Sequence, residues 1–206
     1  MVKRAFDLLV ASLALLLAAP LMLLIGLTVR MDSPGPAFFR QERVGRGGAR
    51  FRIHKFRTMV ADAPTRGLAL TVGDDARVTR VGRFLRRSKL DELPQLIDVL
   101  AGDMSLVGPR PEVPQYVARY PAALRDKVLA LKPGITDPVS LAFADENALL
   151  ARAADPEREY VEVILPRKLQ AAAAYAERAT LLTDLKVIAR TLHLLIQRST
   201  RRGSSA

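Results

Sequence analysis

The sequence predicts an α+β chain, mainly helical, in which an apolar N-terminal membrane segment precedes a small β-hairpin and a set of amphipathic helices. Three observations carry this reading. Residues 8–29 contain no charge. Residues 37–57 alternate apolar and basic side chains around Gly45, Gly47 and Gly48, the period-two pattern and turn of a hairpin. Leucines recur at helical spacing in residues 90–101 and again in 181–195. The chain has 206 residues, half of them apolar and 26% charged, which excludes a disordered class and suits one domain or one domain with an anchor.

The apolar run would make ~33 Å of ideal helix, roughly one hydrocarbon core. Lys3 and Arg4 supply the basic start of a signal peptide, but the run is long for one and no small-x-small cleavage site follows it. A full span fits the length. A re-entrant hairpin fits the charges, because Lys3 and Arg4 flank one end while Arg30, Arg40 and Arg43 follow the other, and the positive-inside bias places both flanks in the cytoplasm. Pro20 lies near the middle, where it removes a backbone N–H and bends a helix. The residues alone leave span and hairpin open.

Downstream, Ser33-Pro34-Gly35-Pro36 stops the helix and turns the chain. The hairpin follows, then a small, polar loop over 60–75. Residues 76–89 place Arg77, Arg80, Arg83 and Arg86 three apart, a basic stripe if helical. Leu93, Leu96, Ile97 and Leu100 have helical spacing, with Gly102 as a stop. Residues 104–116 read as extended and broken by prolines. Asp155-Pro156 starts another helix, which Pro166 interrupts. The last helix, about 180–198, puts Leu181, Leu185, Ile188, Leu192 and Leu195 on one face. That face suits either a core or a membrane surface. The tail from 199 to 206 reads as disordered.

Lys and Arg outnumber Asp and Glu by 32 to 21, a net charge of +11, which attracts nucleic acid, anionic lipid or phosphorylated small molecules. Aromatics are 5% with no Trp, a poor supply of base-stacking platforms. The absence of Cys excludes disulfides, thiolate nucleophiles and cysteine zinc sites. His54 and His193 are far apart in sequence and suit lone surface or core positions rather than a metal site.

Asp91-Glu92 is the most suggestive pair. Two carboxylates follow a basic segment and precede Pro94 at a predicted helix start. One reading is helix capping, with Ser88 and Asp91 loosely resembling a capping box. The other is phosphate chemistry, in which arginines hold phosphates while a carboxylate binds Mg²⁺ or attacks phosphorus. The second needs another basic element. Arg110, fixed between Pro109 and Pro111, would present its guanidinium with little entropic cost. Lys55 and Arg57 are further candidates, or an exposed basic strand face.

The motifs DSPGPAFFRQERVG (32–45), KFRTM (55–59), TRVGRFLR (79–86), LDELPQL (90–96), GDMSLVGPRP (102–111) and LKPGIT (131–136) occur in this order. Together they resemble the bacterial sugar transferase family, the small monotopic polyprenyl-phosphate phosphoglycosyl transferases. The resemblance covers nearly the whole chain.

It implies transfer of a sugar-1-phosphate from a nucleotide (UDP) sugar to polyprenyl (undecaprenyl) phosphate on the cytoplasmic face of the bacterial inner membrane. This is the first membrane step of glycoconjugate or exopolysaccharide assembly. Asp91 matches the family's nucleophile, which forms an aspartyl-phosphosugar intermediate, and also a Mg²⁺ ligand. Glu92 matches its dyad partner, for Mg²⁺ placement or acceptor deprotonation. Lys55, Arg86 and Arg110 would contact phosphates. The implied partners are the nucleotide-diphosphate sugar, polyprenyl phosphate and membrane lipid, with no nucleic acid.

The family's N-terminal segment is a re-entrant helix–break–helix, usually broken at Ser-Pro; here the pair is Ala19-Pro20, without the hydroxyl. Because the acceptor phosphate lies at the membrane surface, the resemblance tips the choice to re-entrant. The expected organisation is an anchor over 1–30, a catalytic domain with amphipathic C-terminal helices over 31–198, and the tail. Many relatives continue LKPGIT with Gly-Trp-Ala-Gln, whereas this chain reads DPVSLAFADENALL. Asp145 and Glu146 there are expected either to meet the donor sugar or nucleotide, or to be surface charges. The extra transmembrane domain of larger relatives is expected to be missing.

Overall fold

The computed structural model describes residues 2–66, 70–139 and 146–203. It is an α+β, mainly helical protein. Helix α1 spans Val2–Asp32 and is long and apolar enough to cross a membrane. Only a narrow stripe of it is buried. Ala11 packs with Ile53, Leu96, Val99 and Met104, and Ile25 and Val29 pack with Phe56 and Leu85. Its other faces expose leucines, including Leu9 at 72% and Leu16 at 72%. An exposed apolar surface of this extent, unbroken by charge, is a lipid-facing one.

Where two helices around a break were expected, there is one helix with Pro20 inside it. A proline removes one i→i−4 hydrogen bond, and the turns on either side keep theirs, so helical geometry continues through it. The two ends of α1 nevertheless bind the same folded body. Near its start, Arg4 donates to the carbonyls of Val99 at 2.6 Å and Leu100 at 3.1 Å. Asp7 accepts from the Ser105 hydroxyl at 2.8 Å and the Leu106 N–H at 3.3 Å. At its end, Asp32 accepts from the Val81 N–H at 3.0 Å. Arg57 closes that end by donating to the carbonyls of Ser33, at 2.7 Å, and Pro34.

Strands β1 (Phe38–Val44) and β2 (Arg50–Phe56) form the expected antiparallel hairpin, with Phe38 opposite Phe56 and Val44 opposite Arg50. Gly47 (φ 67°) and Gly48 (φ 83°) supply the left-handed backbone of its turn. Ile53 is buried with Val99 and Met104, and Phe56 with Ile25 and Leu85, while Lys55 between them reaches Glu92.

Helix α2 covers Arg80–Ser88; Thr79 caps it by accepting from the Gly82 N–H at 3.0 Å. Arg77, expected on the same stripe, precedes the helix and pairs with Asp75. Gly82 lets α2 lie on the backbone of Thr58, since a Cβ there would sit 2.0 Å from the Thr58 carbonyl oxygen. The chain leaves α2 through Lys89 in the left-handed conformation (φ 61°) and makes a 3₁₀ turn over Leu90–Glu92. Helix α3 (Gln95–Ala101) follows and stops at Gly102.

Strand β3 (Ser105–Val107) pairs in parallel with β4 (Gly134–Thr136). Between them lie α4 (Pro114–Val117) and α5 (Ala122–Leu129), and beyond them α6 (Glu146–Arg152), α7 (Pro156–Glu159) and α8 (Leu165–Arg178). Val113, Tyr116, Val128, Tyr160, Ile164 and Leu169 lie in the second core. Pro166 does not interrupt the helical path. A π turn over Tyr160–Ile164 precedes it, in which the Leu165 N–H reaches the Tyr160 carbonyl, and Pro166 sits in the first turn of α8 where its missing N–H costs nothing.

Helix α9 runs Leu181–Gly203, so residues 199–203 are helical where a disordered tail was expected. Its apolar side chains divide between the core and the surface. Val187 and Ile188 pack inward and Asp184 is buried, bonded to Lys3 and to the Tyr175 hydroxyl at 2.5 Å. Leu182, Leu185 and Leu192 are exposed.

Candidate active site

Three chain segments converge on the carboxylate of Glu92. The end of β2 brings Lys55, whose ammonium is 3.0 Å from Glu92 Oε1. The turn after β3 brings Arg110, which donates to the same oxygen at 2.6 Å. The left-handed Lys89 turns the chain so that Asp91 and Glu92 both enter the interior, at 8% and 9% exposure. Adjacent carboxylates buried together repel, and the surroundings divide the two. Burial would push the Glu92 carboxyl up, but the charges of Arg110 and Lys55 overcome it and hold Glu92 well below the usual range. Asp91 receives no such pairing. Burial, then the charge of Glu92, raises its carboxyl above the ordinary value, and its Oδ1 is a buried acceptor without a partner among the described residues.

Arg110 owes its position to the backbone beneath it. Gly108 and Gly134 bring the ends of β3 and β4 so close that a Cβ on Gly134 would lie 2.0 Å from the Gly108 nitrogen. Arg43 supports the same turn by donating to the Pro111 carbonyl at 3.0 Å. Glu112 accepts from the Tyr160 hydroxyl at 2.9 Å, tying the turn to the second core.

The model of the bacterial sugar transferases matches residues 1–198. The chain belongs to the bacterial sugar transferase family. Over 205 residues it is 40% identical to the UDP-glucose:undecaprenyl-phosphate glucose-1-phosphate transferase of Caulobacter vibrioides, covering 94% of this chain and 69% of that protein. It is 44% identical over 138 residues to the Escherichia coli protein of the same title, covering 66% of this chain and 30% of that one. It is 46% identical over 119 residues to the Aeromonas hydrophila UDP-N-acetylgalactosamine-undecaprenyl-phosphate N-acetylgalactosaminephosphotransferase, covering 58% of this chain and 28% of the relative. The chain thus spans under a third of the length of these last two relatives.

In this sugar transferase, Asp91, Glu92, Lys55 and Arg110 meet as one cluster. Arg86 lies within electrostatic reach of Asp91, with its Nε on the Thr58 hydroxyl at 2.8 Å and its Nη1 on the Thr71 hydroxyl at 3.0 Å. Burial lowers the Lys55 ammonium to about 8, against the raising influence of Glu92. Glu146 is not tied to the dyad; its carboxylate receives Lys168 at 2.8 Å, beside the Tyr160 ring. Asp145 lies outside the described residues. Pro20 is exposed on α1.

Among the described residues no group of three or more His, Asp or Glu could cage a metal. Mg²⁺ needs no such cage, since it is held by one or two carboxylates with substrate phosphates and waters. The unpartnered Asp91 oxygen fits that role, whereas the Glu92 oxygen already takes two cations.

Some residues that build the site escaped the sequence reading. Asp7 and Asp98 are buried carboxylates, and Asp98 pairs with His54 Nδ1 at 2.5 Å and accepts the His54 N–H at 2.8 Å. His54 is therefore a structural partner in the core. Arg43 was noticed only as a flanking charge. A signal existed for it, since it stands on the strand that the alternating pattern marks.

Proposed function

We propose that this protein transfers a sugar-1-phosphate from a UDP-sugar to undecaprenyl phosphate through a covalent intermediate on Asp91. The single observation that carries the reading is the division within the dyad. Glu92 holds Lys55 and Arg110, and the neighbouring Asp91 keeps a desolvated oxygen with no partner. An unpaired, desolvated carboxylate oxygen is a stronger nucleophile than a solvated one.

In the first step Asp91 attacks the β-phosphorus of the donor. The P–O bond to the α-phosphate breaks, and the electron pair leaves with the nucleoside monophosphate. In the second, an oxygen of the acceptor phosphate attacks the phosphorus on Asp91. The carboxylate leaves unchanged, and polyprenyl diphosphate sugar forms. Lys55 and Arg110 orient the donor's diphosphate and spread its charge. Arg86, within electrostatic reach of Asp91, does the same for the transferring phosphoryl group. Glu92 fixes both cations by staying ionised. Mg²⁺, bound to Asp91 with the donor phosphates, would neutralise the diphosphate and stabilise the leaving phosphate.

The relatives' titles name different sugars, glucose and N-acetylgalactosamine. The proposal therefore rests at the level of a UDP-sugar. The acceptor's phosphate lies at a membrane surface, and the hydrogen bonds at both ends of α1 to one folded body support a re-entrant anchor. In this reading the site lies beside the cytoplasmic face of the inner membrane. Because the chain has no Cys, single cysteines at Val2 and Pro36 should both be labelled from the cytoplasmic side. Labelling from opposite sides would restore a span. For the reaction, Asp91→Asn should abolish uridine monophosphate release from every donor in a screen with undecaprenyl phosphate. Retained full activity would remove Asp91 from the nucleophile's role.

A further inference from the structure

Helix α2 has two unlike sides. Arg86 faces the site, Leu85 is buried against Ile25 and Val29 of α1, and Gly82 lies on Thr58. The opposite side exposes Arg80, Arg83 and Arg87, with Phe84 between them at 62% exposure. These residues and Ser88 line an open groove of about 470 Å³. Arg80 and Arg87 make no hydrogen bond or ion pair among the described residues, and Arg83 makes one long bond, to the Val78 carbonyl at 3.4 Å. The helix carries no acidic residue. The proposed reaction uses none of these side chains.

We infer that this face of α2 binds the headgroups of anionic phospholipids, with Phe84 seated at the boundary of the acyl chains. Three observations select that occupant. The first is charge complementarity, because three guanidiniums that have no carboxylate partner among the described residues suit phosphodiesters, which they can grip in bidentate fashion. The second is place. The hydrogen bond from the Val81 N–H to Asp32 and the packing of Leu85 on Ile25 and Val29 set α2 beside the last turns of the lipid-facing helix. A basic surface at that level meets the headgroup layer, where each Arg near an anionic leaflet gains of order fivefold in affinity. The third is Phe84, an exposed aromatic ring among arginines, which is the composition of an interfacial rather than a fully aqueous helix face.

The consequence is mechanical. Lipid bound here would hold α2, and through it Lys89, Asp91 and Glu92, at a fixed depth.

The chain contains no Trp, so Phe84→Trp supplies a single reporter in the full-length protein. It should be reconstituted in vesicles of equal parts phosphatidylcholine and phosphatidylglycerol, with one lipid or the other brominated. We expect blue-shifted emission and quenching several-fold stronger by brominated phosphatidylglycerol than by brominated phosphatidylcholine. The preference should vanish when Arg80→Gln, Arg83→Gln and Arg87→Gln are added, while an unchanged circular dichroism spectrum and thermal melt in detergent show that this variant remains folded. Added undecaprenyl phosphate should leave the preference intact. Equal quenching by both lipids, or emission characteristic of water, would overturn the inference. Loss of the preference on adding undecaprenyl phosphate would also overturn it, by making the face part of the acceptor site. Failure of the catalytic reading leaves this measurement unaffected.

Discussion

Arg110 donates to Glu92 Oε1 at 2.6 Å, and Lys55 reaches that same oxygen at 3.0 Å. One carboxylate oxygen thus fixes two cations from segments far apart in the chain. Glu92→Gln would leave both half-buried cations without their counter-charge, at a cost of about 3 kcal/mol. The folded-state carboxyl of Glu92 lies well below its unfolded value, so its stabilisation is complete above the ordinary glutamate range. It is lost as pH falls through the lower, folded value. Wild-type protein should therefore lose stability in acid more steeply than Glu92→Gln, as read by thermal melts from neutral pH downward.

Lys55 titrates at about 8, because burial outweighs the attraction of Glu92. Its positive charge is present below that pH and lost above it. If it grips donor phosphate, KM for the UDP-sugar should rise as pH passes about 8, while Lys55→Arg should carry that limb to higher pH. A KM flat across this range in the wild type would remove Lys55 from the donor site.

Asp91 is the opposite case to Glu92. Its carboxyl is raised by burial and by Glu92, so the ionised form destabilises the fold, and stability falls as pH rises from the ordinary aspartate range through the raised value. Asp91→Asn removes that charge. It should abolish turnover yet stabilise the protein at neutral pH by about 1 kcal/mol, or about 3 °C in Tm. A destabilised variant would contradict the electrostatic account of the dyad.

Gly82 sets α2 against the segment that follows the strand carrying Lys55. A Cβ at this position would collide with the Thr58 backbone at 2.0 Å, and a backbone oxygen cannot rotate aside. Gly82→Ala should cost about 2–3 kcal/mol despite the higher helix propensity of Ala. An unchanged melting temperature would show that α2 can slide.

Asp7 joins the anchor to the catalytic turn. Asp7→Ala would strip the Ser105 hydroxyl and the Leu106 N–H of their partner in a buried position, costing about 2 kcal/mol. Because β3 leads directly into Gly108 and Arg110, kcat should fall as well, at temperatures where the variant is fully folded. Unchanged kcat in the folded variant would separate the anchor from the site.

Much of this was legible in the sequence because the signals were local. The hairpin follows from alternation and turn glycines, α2 from arginines three apart, and α3 from leucine spacing and the Gly102 stop. The pairing of β3 with β4 was not legible. Each strand has three residues, too few for a period, and the turn residues that bring them together are glycines whose meaning is a close backbone approach. Pro166 was misjudged because a π turn placed just before it is a backbone adjustment with no side-chain pattern. The paired carboxylates were visible, but their division was not. Which of two neighbours takes the cations depends on Lys55 and Arg110 arriving from elsewhere in the fold. Asp7 carries no local signal because its partners, Ser105 and Leu106, are remote in sequence. The Pro20 break was read too strongly, since a missing N–H bends a helix without ending it.

The most direct test of the central claim is intact-mass and peptide mapping of the full-length protein quenched after mixing with a UDP-sugar and Mg²⁺, without undecaprenyl phosphate. We expect a burst of uridine monophosphate stoichiometric with enzyme, and a sugar-phosphate adduct that maps to Asp91 and is discharged on adding undecaprenyl phosphate. Release of monophosphate only when both substrates are present, with no adduct in an active preparation, would contradict the account and point to direct transfer.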